Sequence, residues 1–218
     1  MRTSFVKKYS ITGIVCFFII LLFGLIVPVT RDFFCLVLPF IPILLWILFI
    51  INRRKQPSKK TVIKVVYFSL IVLSGLLMDK FWNSHCEKLA YQIYPFDYGY
   101  KYFEKYIYPL FSGTNWALIV YCTASICNPI KNKFFQVMAA SFLMVIFDIL
   151  LEQNTEFLHL WRWYGSLLVN YQFWFISAIA LHSLRCVMKV EVRNRVANVT
   201  YITIVTVFVC LLMLRSVI

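Results

Sequence analysis

FFQVMAASFLMVIFDILL (Phe134–Leu151) runs directly into EQNTEFLHLWRWYGSLLVNYQFWF (Glu152–Phe175). The first part is apolar over the roughly 17–25 residues an α-helix needs to cross a bilayer. The second is polar and rich in indoles, so the junction reads as the far end of a membrane helix. Asp148, Glu152 and Glu156 recur there at steps of four. Four residues turn a helix by about 400°, so the three carboxylates form one slowly drifting stripe with neighbours about 6 Å apart. His159, Trp161, Arg162, Trp163, Asn170, Tyr171 and Trp174 follow. Two readings stand open: a reaction site, or acids that mark where the helix leaves the bilayer, with Trp and Tyr as interfacial anchors.

Composition supports the membrane class. Of 218 residues, 61% are apolar, 18% aromatic and only 14% charged, with mean hydropathy +0.78. Soluble domains sit near about 45–50% apolar and about 25% charged. The fold expected is all-α: a polytopic transmembrane helical bundle of about seven spans, residues 1–218 forming a single integral membrane domain. A net charge of +13 points at first to nucleic acid. In a membrane protein, basic loops instead report topology and anionic lipid, so no nucleic-acid partner is expected. The cysteines at 16, 35, 86, 122, 127, 186 and 210 form no CxxC pair, and most lie in apolar runs where a thiol behaves as a small hydrophobe. The N-terminal run ends in VPVTRDFF without a small-x-small cleavage site, which reads as a retained first helix.

The spans expected are Ile11–Val29, Phe33–Ile51, Thr61–Met78, Phe111–Ile126, Phe134–Leu151, Asn170–Met188 and Ala197–Leu214. The fourth is the weakest, because Ser112, Gly113, Thr114 and Asn115 make its first turn polar. With the N-terminus inside, the inner segments hold Arg2, Lys7, Lys8, Arg53, Arg54, Lys55, Lys59, Lys60, Lys131, Lys133, Arg185, Lys189, Arg193 and Arg195. The outer ones hold Arg31, Lys80, Lys88, Lys101, Lys105, Arg162 and Arg215. This bias favours a plasma-membrane protein with N-terminus cytoplasmic and C-terminus outside. Of the acids only Glu191 falls inside. Asp32, Asp79, Glu87, Asp97, Glu104, Asp148, Glu152 and Glu156 gather at the outer end, which is where chemistry is expected.

Between the third and fourth spans lies NSHCEKLAYQIYPFDYGYKYFEKYIYPLF, an aromatic-rich interfacial segment with tyrosines at 91, 94, 98, 100, 102, 106 and 108. It reads equally as a lid over a long apolar ligand or as an amphipathic re-entrant piece. His182, alone on an apolar helix, reads as a packed core residue. Asn198-Val199-Thr200 fits a glycosylation pattern but lies at the inner end of a span, which removes it from consideration.

Carboxylates beside aromatics in a hydrocarbon setting suit proton addition to an isolated alkene, followed by water capture of the carbocation. A carboxylic acid donates to an alkene only when it is held neutral, and indole faces stabilise the cation by about 0.5–2 kcal/mol each. Asp148, behind the apolar FLMVIF, reads as the proton donor. Glu152, a turn nearer the polar Gln153-Asn154, reads as the group that positions water or re-ionises Asp148. Trp161, Trp163 and Trp174 are the cation-facing walls. A metal site built from His85, Glu87, Asp148, Glu152 and His159 is the competitor, but no two histidines stand three to five apart, and no metal is assigned.

PLFSGTNWALIVY (Pro109–Tyr121) and the DILLE…WRW…NYQFWF stretch together resemble the bacterial and archaeal carotenoid biosynthesis membrane proteins, the family of carotenoid 1,2-hydratases and bisanhydrobacterioruberin hydratases. The residues that carry the resemblance are Pro109, Gly113, Asn115, Trp116, Asp148, Glu152, Trp161, Trp163, Asn170, Tyr171, Trp174 and Phe175, with weaker echoes at Glu87 and Phe96–Tyr100, including Tyr98. The chain departs from the pattern at Gln153, where the family has proline, and at Leu168-Val169, where it has Ile-Pro. The resemblance implies a lyase that hydrates the terminal double bond of an acyclic carotenoid. It implies Asp148 and Glu152 as catalytic residues, and Asn115, Trp116, Trp161, Trp163, Asn170, Tyr171, Trp174, Tyr98 and Glu87 around the substrate. The expected partners are a long apolar isoprenoid and the lipid bilayer, and no redox or nucleotide cofactor is implied. The alternatives are a non-catalytic polyprenoid- or lipid-binding membrane protein and a metal-dependent lipid-modifying enzyme.

Overall fold

The computed structural model describes residues 2–27, 29–30, 33, 37, 40–51, 59–85, 91–93, 108–158, 161–163 and 166–215. In 2–10, 48–51, 59–61, 78–85, 91–93, 108–111 and 161–163 it describes the backbone alone. Among these residues seven helices of eleven or more residues follow one another: α1 (Arg2–Ile26), α2 (Ile41–Ile51), α3 (Lys59–His85), α4 (Tyr108–Ile126), α5 (Lys133–Glu152), α6 (Leu167–Val187) and α7 (Arg195–Arg215). Two three-residue strands, β1 (Tyr91–Ile93) and β2 (Trp161–Trp163), pair antiparallel.

The protein is therefore helical, and each expected span falls on a helix, with one correction. Within the second expected span, Phe33–Ile51, Phe33 and Val37 are helical and α2 covers Ile41–Ile51. Pro42 stands in its first turn, where a missing N–H costs nothing. The correction is the β1–β2 ribbon, which an all-helical reading does not contain. Its register (Tyr91 opposite Trp163, Gln92 opposite Arg162, Ile93 opposite Trp161) ties the tyrosine-rich segment to the Trp-x-Trp.

By length and apolarity α5, α6 and α7 can cross a membrane; α1 and α3 carry the shorter apolar stretches Ile11–Ile26 and Val62–Leu77. Large apolar side chains are exposed, and polar ones share the interior with the apolar core. Phe23 is 64% exposed, Ile176 67% and Met213 67%, whereas Gln136, Ser141, Asp148, His182 and Arg185 are buried. Large apolar groups on the outside, with some polar groups kept within the bundle, is the pattern of helices that meet lipid.

α4 sits at the centre and packs against α2, α3, α5, α6 and α7. Its polar first turn does not interrupt the helix, because Ser112 and Asn115 are buried between neighbours. Gly113 explains how α3 approaches so closely. A Cβ there would lie 2.6 Å from the Val72 carbonyl oxygen, and one on Gly75 would lie 2.9 Å from the Gly113 Cα. The two backbones touch, and only glycine permits it. Gly113→Ala is expected to force the helices apart and cost about 1–3 kcal/mol. Thermal unfolding in detergent checks this, and an unchanged midpoint would refute the close crossing.

The end of the bundle away from the carboxylates is also polar inside. His182 is fully buried with Nε2 3.2 Å from Thr123 Oγ1, a packed core histidine as expected. Tyr67 donates to the Leu181 carbonyl at 2.8 Å, and Arg185 donates from Nη1 to the Val190 carbonyl at 3.2 Å, near the negative end of the α6 dipole. Thr200 is buried within α7, so Asn198-Val199-Thr200 lies inside a packed helix.

Candidate functional site

α5 begins cleanly because Asn132 caps it, its Oδ1 accepting from the Phe134 and Phe135 amides at 2.9 and 3.3 Å. Val137, Ala140, Met144, Phe147 and Leu151 then recur at helical spacing and are buried. One position round the helix, Ser141, Asp148 and Glu152 are buried as well. α5 thus turns two adjacent faces inward. Phe147 packs on Phe208 of α7 with ring centroids 5.8 Å apart, and Asp148 meets α6.

Asp148 has no exposed surface and Glu152 only 9%. Acids that only mark the exit of a helix from the bilayer face water; these two are turned into the bundle. Asn170 Nδ2 donates to Asp148 Oδ2 at 3.0 Å, while Oδ1 has no partner among the described residues. Two residues that the sequence separates by 22 positions therefore meet through a buried hydrogen bond. Glu156, third in the stripe, is exposed, because α5 ends at Glu152 and the chain turns away.

The turn after α5 corrects the expectation that Gln153-Asn154 brings water to Glu152. Gln153 is exposed, but Asn154 has no exposed surface and Thr155 only 1%. Asn154 Nδ2 donates to the carbonyls of Leu150 at 2.8 Å and Phe208 at 3.2 Å, and Thr155 Oγ1 donates to the Glu152 carbonyl at 3.1 Å. These polar side chains satisfy backbone carbonyls and lock the turn onto α7. Arg215 reinforces it, donating from Nη1 to the Gln153 carbonyl at 2.9 Å. Glu152 is held by a packed turn, not by an aqueous edge.

The aromatic residues divide. Trp116 of α4 and Trp174 of α6 stack with centroids 4.1 Å apart and planes 17° from parallel. Such a pair is worth about 0.5–1.5 kcal/mol beyond burial, and it occupies one face of each indole, so Trp174 is first a partner of Trp116. Tyr171 is half-buried next to Asn170 on α6. Trp161 and Trp163 are placed by their backbone in β2. Glu87, Tyr98 and His159 lie outside the described residues, as does the side chain of His85. Asn115, also buried, lines a small cavity with Phe147 and Leu151. Neither carboxyl lines it.

Sequence reasoning missed Asn154, Thr155, Gly75 and the ribbon. An Asn-Thr pair directly after a helix is a signal for a capped turn; nothing local in the sequence announces the partners from α7 or α4.

Fold and site together define a helical protein with membrane-length apolar helices and two carboxyl groups buried near one end of the bundle. No family model, curated protein or solved structure matches the chain.

Proposed function

We propose that this chain is an integral membrane hydratase that adds water to the terminal C=C bond of an acyclic carotenoid. The observation that carries the reading is the buried Asp148–Asn170 pair at 3.0 Å, with Glu152 one helical turn away. These are residues through which the chain resembles the carotenoid hydratases. The substrate class rests on that resemblance and the chemistry on the carboxyl pair. Asp148 gives its proton to the less substituted alkene carbon, leaving a tertiary carbocation. Water attacks that carbon, and the proton it sheds passes to Glu152 and back to Asp148, so the net change is one H and one OH across the double bond. Trp161, Trp163 and Trp174 supply aromatic faces for the cation.

Co-expression with an acyclic carotenoid, followed by pigment analysis by mass, tests this directly. A gain of one or two waters is expected; unchanged pigment with well-folded protein refutes the activity. A polyprenoid-binding protein without catalysis is the second reading. The apolar cavity that neither acid lines favours it, and it predicts that Asp148→Asn leaves all function intact.

The proposed setting is the plasma membrane, with seven spans, a cytoplasmic N-terminus and the carboxyl pair in the outer half. Reporter fusions after Lys59 and after Glu156 are expected on opposite sides. Two cytoplasmic signals would overturn this topology.

A further inference from the structure

The end of the bundle away from the carboxylates carries charges that the proposed chemistry does not use. Lys131 and Lys133 flank Asn132, the cap of α5, and Lys189 follows the end of α6. All three are exposed. Lys133 Nζ donates to Gln136 Oε1 at 3.3 Å, while the ammonium groups of Lys131 and Lys189 have no partner among the described residues. Glu191 is the sole acid at this end among the described residues.

The backbone holds these charges in place. The Ile130 amide and Gln136 Nε2 both donate to the Cys127 carbonyl at 3.0 Å, which fixes the turn before α5. After α6 the Val190 amide reaches back to the Arg185 carbonyl at 3.0 Å, and Val190 is buried. In this helix-ending turn the preceding residue is left-handed and is usually glycine. Here it is Lys189, at φ 52°. A residue with a Cβ is strained there, and a strained side chain kept at an exposed turn points to a use for it.

Antiparallel packing of α5 on α6 gathers the three lysines. Asp148 meets Asn170, and Phe142 meets Phe175 with ring centroids 4.9 Å apart, so the two helices run in opposite directions. Continued toward the start of α5, this register sets Lys133 level with the last turns of α6, just before Lys189. Past the charges the outer surface of both helices is apolar. Phe135, Phe142 and Ile146 are 61%, 54% and 45% exposed, and their spacing keeps them within about 40° of one stripe on α5. Leu184 and Val187 are exposed on α6. The stripe from Phe135 to Ile146 is about 16 Å long, half of a bilayer's hydrocarbon core.

We propose that this edge of α5 and α6 binds an anionic phospholipid. Its phosphate sits on Lys131, Lys133 and Lys189, and one acyl chain lies along Phe135, Phe142 and Ile146. Charge alone suits any anion, but cations at the head of an exposed apolar stripe of this length suit an amphiphile. A neutral lipid leaves the ammonium groups without a counter-charge, and a free anion leaves the stripe unused. Each lysine beside a lipid phosphate is worth about five-fold in affinity. The site stands apart from the carboxyl pair and does not rest on the hydratase reading.

The test uses the full chain purified in a neutral detergent and offered phosphatidylglycerol or phosphatidylcholine with identical acyl chains. Native mass spectrometry counts the lipid retained, and a diazirine in the acyl chain maps its position. Phosphatidylglycerol is expected to be preferred by about a hundred-fold, with the label on α5 and α6. Lys131→Gln is expected to cut that preference about five-fold, and Lys131→Arg to keep it. Lys189→Gly is expected to cut it as much while the thermal midpoint holds or rises, because glycine relieves the turn. Phe135→Ser is expected to weaken both lipids and leave their ratio unchanged. Equal retention of the two lipids overturns the proposal, as does a preference that survives loss of all three lysines. A label confined to other helices also overturns it. So does displacement of the lipid by inorganic phosphate or a short oligonucleotide at equal concentration, since the lysines would then be a general anion surface.

Discussion

Asp148→Asn is expected to lower carotenoid hydration by about 10²–10⁴-fold, the usual contribution of a general acid. The substitution isolates chemistry from folding. Asn keeps the volume of Asp, and its side-chain oxygen can still accept from Asn170 Nδ2, which now lies 3.0 Å from Asp148 Oδ2. What it cannot do is give a proton to carbon. Insertion and pigment binding should therefore persist while turnover is lost. Asp148→Leu is a harsher change, because it strands the Asn170 amide in a buried site at a cost of about 1–3 kcal/mol, and it confounds the two effects. Near-normal hydration by Asp148→Asn would remove Asp148 as the donor.

Glu152→Gln carries the second large effect, a loss of about 10²–10⁴-fold for the same kind of reason. Glu152 is buried one turn beyond Asp148, and the chain after it is clamped by Asn154 and Thr155. Gln can replace it sterically and as a hydrogen-bonding group but cannot take up the proton that water releases. Glu156→Gln is the control. Glu156 is exposed past the end of α5, and its replacement is expected to change turnover little. Pigment mass spectra from the three variants in parallel check the set. If Glu156→Gln abolishes hydration while Asp148→Asn retains it, the active end of the stripe has been taken from the wrong side.

The sequence by itself determined the helices and the face on which Asp148 and Glu152 lie. Apolar residues at Val137, Ala140, Met144, Phe147 and Leu151 repeat with the helical period, and such a period survives whatever packs against it. The same rule locates α6 and α7, whose apolar length is a local property. It failed where an environment depends on distant chain. Gln153-Asn154 looks wet because the residues are polar, yet Asn154 is buried against the carbonyl of Phe208, 54 positions away. Gly113 reads as a weak point in a helix until Val72 and Gly75 are brought against it. Nothing along the chain pairs Trp116 with Trp174, and only the packing of α4 on α6 makes them one stack. The ribbon that joins Tyr91–Ile93 to Trp161–Trp163 has the same origin, since three-residue strands have too little period to see and their register comes from the partner. Periodicity is written along the chain, whereas burial of a polar group, contact of two backbones and register of two strands are properties of pairs, decided only when the helices assemble.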